Sequence, residues 1–294
     1  MVKILDGKAL AEDILEQLKK QILRFERPPE LHIILVGEES ASQIYVQQKL
    51  KASQRIGVSA QLHSLPSSIA QNEVISLIQQ LNATSTVDGI IVQLPLPHHI
   101  DPRVIIEAID PKKDVDGFHP MNLGKLVRNE PDFIPATPLG ILELFRAYEI
   151  ETQGKHCVVL GRSMLVGMPI SILMASKNSP GNCTVTICHS YTPNIDVYLK
   201  QADIVIVAIG KPRFIHGSML KEHCVVVDVG IHKISNGEGK SSVCGDVIWE
   251  SIQEVAAFAT PVPGGVGPLT VAMLLTNTVK AYALNAFRNS LDWM

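Results

Sequence analysis

The sequence predicts an α/β fold in two domains, each built on a mostly parallel sheet. Three observations predict it. Apolar runs of strand length alternate with amphipathic runs of helix length along most of the chain. The alternation lapses once, from Asp110 to Pro135, and then restarts. The chain has 294 residues, 46% hydrophobic and 19% charged, which is enough material for two cores.

The elements follow in order. Lys8 to Phe25 reads as an amphipathic helix and Leu31 to Val36 as a short apolar strand. Ser40 to Ile56 is predicted helical, with Ser40 and Gln43 in capping-box register and Gly57 just past the end. Gln61 to Leu65 reads as a strand and Asn72 to Asn82 as a helix. Gly89 to Leu94 is a strand stopped by Pro95 and Pro97, and Pro102 to Ile109 is a helix. After the irregular stretch, Pro138 to Tyr148 is helical and crosses between domains. The second series has strands at Cys157 to Leu160, Thr184 to Ile187, Ile204 to Ile209 and Val225 to Val229, with a helix at Val166 to Lys177. Asn236 to Ser242 reads as a variable loop. The last helix, Pro268 to Phe287, is expected to return to the first domain. That gives a discontinuous domain of residues 1–137 plus 270–294 and a second domain of residues 138–269.

Composition narrows the function. A net charge of −3 without a long basic run argues against nucleic acid and anionic membrane as partners. No signal-peptide pattern opens the chain, and no apolar run approaches the length of a membrane span. The cysteines Cys157, Cys183, Cys188, Cys224 and Cys244 are odd in number and lack C-x-x-C spacing. Buried thiols in a reducing compartment are expected, which suggests a cytoplasmic protein. The histidines show no ligand spacing, so no metal site is expected.

Three places carry chemistry. Strand Cys157–Leu160 runs into Gly161-Arg-Ser-Met-Leu-Val-Gly167 and then a helix, the layout of a phosphate cradle in a Rossmann-like domain. The glycines are six apart and do not form G-x-G-x-x-G, so a plain β-α turn is the alternative. No Asp or Glu occurs from Arg162 through Ile195, where an NAD site places an acid on the ribose. Arg162 and Ser190 suit a 2′-phosphate, which favours NADP; the alternative is an Arg162 that merely covers surface. The second place is Pro261-Val-Pro-Gly-Gly-Val-Gly-Pro268, three prolines and three glycines in eight residues before a helix. Bare, stiff backbone there suits a polar ligand, or a tight interdomain turn. The third is a set of polar interruptions in the first half: Tyr45 and Lys49 on one helix face, Gln93 inside an apolar strand, and Asp114-Val-Asp116-Gly117. Taken singly, each of these also reads as a core residue, a solvated charge or a turn.

Together they form a pattern. Tyr45-Val-Gln-Gln-Lys49, Asp88-Gly-Ile-Ile-Val-Gln-Leu-Pro-Leu-Pro97, Lys113-Asp-Val-Asp-Gly-Phe-His-Pro120, Gly161-Arg-Ser-Met-Leu-Val-Gly-Met-Pro169 and the Pro261–Pro268 segment stand in order. The chain closely resembles the bifunctional methylenetetrahydrofolate dehydrogenase/methenyltetrahydrofolate cyclohydrolase family, from Asp6-Gly7 to the last helix. It is too short to include the ligase domain of trifunctional relatives. The resemblance implies an α/β folate-binding catalytic domain, a Rossmann-like NADP domain and a cleft between them. It implies NADP-dependent oxidation of methylenetetrahydrofolate, then hydrolysis to 10-formyltetrahydrofolate, in one-carbon metabolism and purine biosynthesis. It further implies tetrahydrofolate derivatives as partners and a homodimer.

By the same resemblance, Tyr45 would stack on the folate's aminobenzoate ring, Lys49 would be the catalytic lysine with Gln93 beside it, and Asp116 would anchor the pterin. Val92 and Leu94 would flank Gln93 at the substrate. Pro263, Gly264, Gly265, Val266 and Gly267 would line the folate side, and Gly161, Arg162, Ser163, Ser190 and Ile231 would hold NADP. Two rivals stand beside this reading. One is another NADP dehydrogenase acting on a small hydroxy or amino acid, which leaves the pterin-type motifs unexplained. The other is a nucleotide-sensing module without chemistry, against which intact Tyr45, Lys49, Gln93 and Asp116 argue.

Overall fold

The computed structural model describes residues 2–236 and 240–291. The chain divides into two compact units: Glu12–Ala136 with Val271–Met294, and Met1–Ala11 with Thr137–Thr270. Both are α/β with parallel main sheets, the class the sequence predicts.

The first unit is entered through α1 (Gly7–Ile22). It continues with β2 (Glu30–Val36), α2 (Ser40–Ile56), β3 (Ser59–Leu65), α3 (Gln71–Ala83), β4 (Gly89–Val92) and α4 (Pro102–Glu107). The strands make a parallel sheet in the order β3-β2-β4. All of β4 and all but the first residue of β2 are buried, as befits parallel strands covered on both faces. Ile34, Val36, Val74, Ile78, Ile90 and Ile105 share one apolar core beneath the sheet. Asp114 forms a further parallel bridge with Ile90, so the 113–116 loop is fastened to the free edge of β4.

Two expectations need correction here. Ser40 is not a cap: it is the first residue of α2, and Glu39 stands before it without a side-chain cap. Ser42 Oγ instead donates to the Glu39 carboxylate at 2.7 Å. Gly57 does end the helix, in the left-handed conformation at φ 91°. The irregular stretch also contains a helix, α5 (Pro120–Val127). Its start is set by Pro120 and by His119, whose Nδ1 accepts from the Met121 amide. A helix this short shows too little periodicity to be read from sequence.

The second unit contains β1 (Lys3–Ile4), α6 (Ala136–Ala147), β5 (His156–Leu160), α7 (Gly167–Ala175), β6 (Thr184–Cys188), α8 (Ile195–Leu199), β7 (Ile204–Val207) and β8 (Val225–Asp228). It goes on with β9 (His232–Asn236), β10 (Lys240–Cys244), α9 (Trp249–Ile252), β11 (Phe258–Ala259) and the start of α10 (Val266–Leu291). Six strands form a parallel sheet in the order β1-β11-β8-β7-β5-β6. The sequence reading places the first residues of the chain in the first domain. Here Lys3 and Ile4 pair with Phe258 and Ala259, which groups Met1–Ala11 with the second unit. Strands of two residues leave no pattern in a sequence. Within the expected variable loop, residues 237–239 lie outside the described residues; the flanking β9 and β10 pair antiparallel.

Candidate functional site

Helix α2 carries Tyr45, Lys49 and Ser53 at successive i, i+4 positions, so they share a face. Ser53 is fully buried and its Oγ donates to the Lys49 carbonyl at 2.8 Å. Lys49 is 8% exposed, and its Nζ donates to Gln93 Oε1 at 3.0 Å. Gln93 follows β4 directly; its backbone N–H extends the ladder to Ile34, and its side-chain Nε2 donates to the Leu94 carbonyl at 2.8 Å. The amide is thus oriented by its own chain, with its oxygen left for the lysine. Val92 is buried and Leu94 is half-buried on either side of it.

Burial pushes the Lys49 pKa down, and the Asp116 charge opposes that shift. Asp116 as a residue keeps some solvent access, but its carboxyl end sits among protein atoms. Burial lifts its pKa to about 6; Lys49 pulls it down and Asp114 pushes it up. Asp114 is buried and has a structural task. It accepts from the Phe118 and His119 amides at 3.3 and 2.8 Å, and from Asn122 Nδ2 at 2.8 Å. The structure thus gathers Lys49, Gln93 and Asp116, with Tyr45 one turn away on α2 and 36% exposed.

Sequence reasoning missed Lys113. It is buried, and its Nζ donates to the carbonyls of Leu81, Asn82 and Thr84 at 3.0, 2.8 and 2.7 Å. An ammonium on these carbonyls, at and just past the C-terminal end of α3, pins the loop that bears Asp116. Its three acceptors lie about thirty residues upstream in the chain, so no local pattern signals it.

The Pro261–Pro268 loop belongs to the other unit. Its backbone is used at close range: Lys8 N–H donates to the Gly264 carbonyl at 2.9 Å, and a Cβ on Gly7 would fall 1.9 Å from the Gly265 oxygen. Helix α10 starts inside this loop, at Val266, two residues earlier than expected. Pro263, Gly264, Gly265, Val266 and Gly267 therefore form a turn and the first helical residues, with Ile231 Cδ1 3.1 Å from where a Cβ on Gly267 would stand.

The second unit also holds a cavity of about 650 Å³ at the carboxyl ends of β5, β6 and β7. From β5 the chain builds β6 on one side and then β7 on the other, and ligands of open α/β sheets bind at such a reversal. Gly161 and Arg162 line it after β5, His189 and Ser190 after β6, and Lys211 and Phe214 after β7. Gly161 sits at φ 110°, and a Cβ there would meet the Ala208 oxygen at 2.2 Å, so glycine is required. Ser163 braces the turn: its Oγ accepts from Val166 N–H and its carbonyl from Met168 N–H. Ile231 is 45% exposed and lies at Gly267, away from the cavity lining. Lys211 and Phe214 were missed. The Lys211 ammonium lies 5.1 Å from the Phe214 ring centre, and Gly210-Lys211-Pro212 after a strong strand was the available signal. Arg162 and Lys211 face a single lining carboxylate, Asp196, so the wall favours an anion. Its volume, cations and bare Gly161 backbone fit a phosphorylated dinucleotide.

Residues 5–116 match the catalytic domain of tetrahydrofolate dehydrogenase/cyclohydrolase, and residues 135–286 match its NAD(P)-binding domain. The chain belongs to this family. A bifunctional protein FolD of Chloroherpeton thalassium is 49% identical over 287 residues, covering 95% of this chain and 98% of the relative. The crystal structure of a bifunctional FolD methylenetetrahydrofolate dehydrogenase/cyclohydrolase from Campylobacter jejuni is similar at a TM-score of 0.90 and 44% identity, covering 96% of this chain and 98% of that one. A Trypanosoma brucei dehydrogenase-cyclohydrolase, crystallised with NADP cofactor and inhibitor, is similar at a TM-score of 0.91 and 36% identity, covering 97% of this chain and 98% of that one. Within the family frame, Tyr45, Lys49, Gln93 and Asp116 all fall in the catalytic-domain match, and the cavity falls in the NAD(P)-domain match.

Proposed function

We infer that the chain is a bifunctional enzyme of one-carbon metabolism. It oxidises 5,10-methylenetetrahydrofolate to 5,10-methenyltetrahydrofolate with NADP, and hydrolyses that product to 10-formyltetrahydrofolate. Within this family, the observation that carries the reading is the buried Lys49, held 3.0 Å from Gln93 and coupled to Asp116.

The residue types suit both steps. Asp116, ionised above about pH 6, offers two oxygens to the neighbouring N–H donors of a pterin's aminopyrimidinone edge. Tyr45 offers a half-open aromatic face to the aminobenzoate ring. When bound, NADP supplies the nicotinamide that takes the hydride from the methylene carbon. Arg162 and Ser190 suit its 2′-phosphate, and Gly161 lets backbone approach its diphosphate. No side chain need bond to the folate, so holding it in near-attack geometry is the protein's task.

In the hydrolysis, water adds its oxygen to the methenyl carbon. One of its protons ends on the ring nitrogen as the carbon–nitrogen bond breaks, and the other leaves to solvent. Lys49 is the proposed proton carrier and Gln93 the group that aims it. Burial already enlarges the neutral-amine fraction, and a cationic methenyl group alongside lowers the pKa further.

Assays of both half-reactions on the purified protein, with NADP and with NAD, test the proposal. NADP-dependent oxidation together with nucleotide-free methenyltetrahydrofolate hydrolysis is the expected result. Absence of either activity, or a preference for NAD, refutes the corresponding half. The finer picture is a cytoplasmic homodimer supplying one-carbon units to purine biosynthesis. Free, mostly buried thiols support a reducing compartment. Sedimentation at micromolar concentration checks the dimer, with a monomer mass as the adverse result.

A further inference from the structure

Asp246 is completely buried, and nothing in the chemistry above uses it. Its Oδ2 accepts from the Ile209 and Gly210 amides at 2.9 and 3.0 Å. Its backbone carbonyl accepts from the Phe214 and Ile215 amides at 2.7 and 3.0 Å. One residue therefore grips both ends of the loop that puts Lys211 and Phe214 on the cavity wall. Its Oδ1 accepts from His232 Nε2 at 2.6 Å, and His232 directly follows Ile231.

Asp246 is itself seated by a second buried carboxylate. Asp228, the last residue of β8, accepts from the Asp246 and Gly230 amides through Oδ1, at 3.0 and 2.9 Å. Its Oδ2 accepts from Val247 N–H at 2.9 Å, and its own N–H donates to Thr260 Oγ1 at 2.8 Å. The fit leaves no slack. A Cβ on Gly245 would fall 1.8 Å from Asp228 Oδ2, and one on Gly230 would fall 2.5 Å from the Asp246 carboxyl carbon. Neither Asp246 nor His232 lines the cavity.

We propose that Asp246, aimed by His232 and seated by Asp228, is the positioning residue of the nucleotide cavity, holding Lys211 and Phe214 where NADP meets them. The inference rests on reading this cavity as the NADP site. Removing the carboxylate would leave two loop amides without an acceptor and free the loop to drift.

The test uses the whole enzyme and four variants: Asp246→Ala, His232→Leu, His232→Gln and Arg162→Ala. NADP dissociation constants come from calorimetry, and methenyltetrahydrofolate hydrolysis is followed without nucleotide. Asp246→Ala and His232→Leu are expected to weaken NADP binding about 10-fold or more. His232→Gln keeps a donor toward Asp246 and should restore most of it. Nucleotide-free hydrolysis should stay within twofold of the parent in the Asp246 and His232 variants. If Arg162→Ala weakens NADP while Asp246→Ala and His232→Leu do not, the positioning role is overturned and the cavity assignment stands. If none of the variants affects NADP, the cavity assignment falls, and the proposal with it. Equal losses for His232→Leu and His232→Gln, or hydrolysis falling in step with NADP affinity, point to general destabilisation and overturn the proposal. Should Asp246→Ala fail to fold, the His232 pair decides alone.

Discussion

Lys49 and Asp116 respond to burial in opposite directions, since the lysine is pushed toward its neutral form and the aspartate toward its protonated one. Lys49→Met should lower cyclohydrolase turnover by about 100-fold or more while folate affinity stays near the parent. Loss of methenyl absorbance and equilibrium folate binding read the two separately, and full turnover in the variant would remove Lys49 from the proton path. Asp116→Asn should weaken folate binding and also alter stability with a definite sign. Because the folded-state pKa of Asp116 is raised to about 6, the folded form holds its proton more tightly than the unfolded one. Its contribution to stability is therefore least unfavourable below the unfolded value and worsens as pH rises from about 4 through 6. The asparagine variant lacks that penalty, so it should gain on the order of 3 kcal/mol over the parent at pH 8 and nothing at pH 4. Melting curves across that range check it, and a gain independent of pH would contradict the assignment.

Elements present these side chains, and their ends matter most. Lys113 satisfies three carbonyls near the end of α3 and fixes the loop leading to Asp116. Lys113→Met should cost about 2 kcal/mol of stability and reduce folate affinity, read by denaturant titration and by substrate binding. At the end of β5, Gly161→Ala forces a Cβ toward the Ala208 oxygen at an unfavourable φ. The expected cost is about 1–3 kcal/mol, with weaker NADP binding measured by calorimetry. Most long elements were legible because burial imposes a period on the sequence: α2 matches its expected span residue for residue. Helix α5 and strands β1 and β11 were not, since two to eight residues give too few repeats of any pattern.

In the whole molecule, distant segments are joined by a few buried polar contacts. Arg27 forms a bidentate pair with fully buried Asp88 at 2.7 and 2.9 Å, and Asn285 on α10 reaches the same carboxylate. Arg27→Met leaves that charge without its cation and should cost about 3 kcal/mol, seen as a lower denaturant midpoint. The thiols report on the fold as a unit. Burial lifts Cys183 and Cys224 to about 11 and pushes Cys157 well above the usual thiol range. Native protein at pH 8 should label slowly, with half-buried Cys183 first, and all five should react once unfolded. Mass spectrometry counts the labels; rapid labelling of Cys157 in the native state would be inconsistent with this core.

The sequence alone determined the fold class, the order of the long elements, the glycine turn after β5 and the residues of the family motifs. Those properties are written in local periodicity and spacing, which one chain displays without its partners. The tertiary structure decided what depends on meeting across sequence distance. It placed Lys49 against Gln93, put Lys113 on the carbonyls near the end of α3, added β1 to a sheet edge more than 250 residues downstream and built the Asp228–Asp246–His232 brace. Hydrogen bonds and desolvation act through space, so a residue's pKa, partners and burial are fixed only after the chain has folded around it.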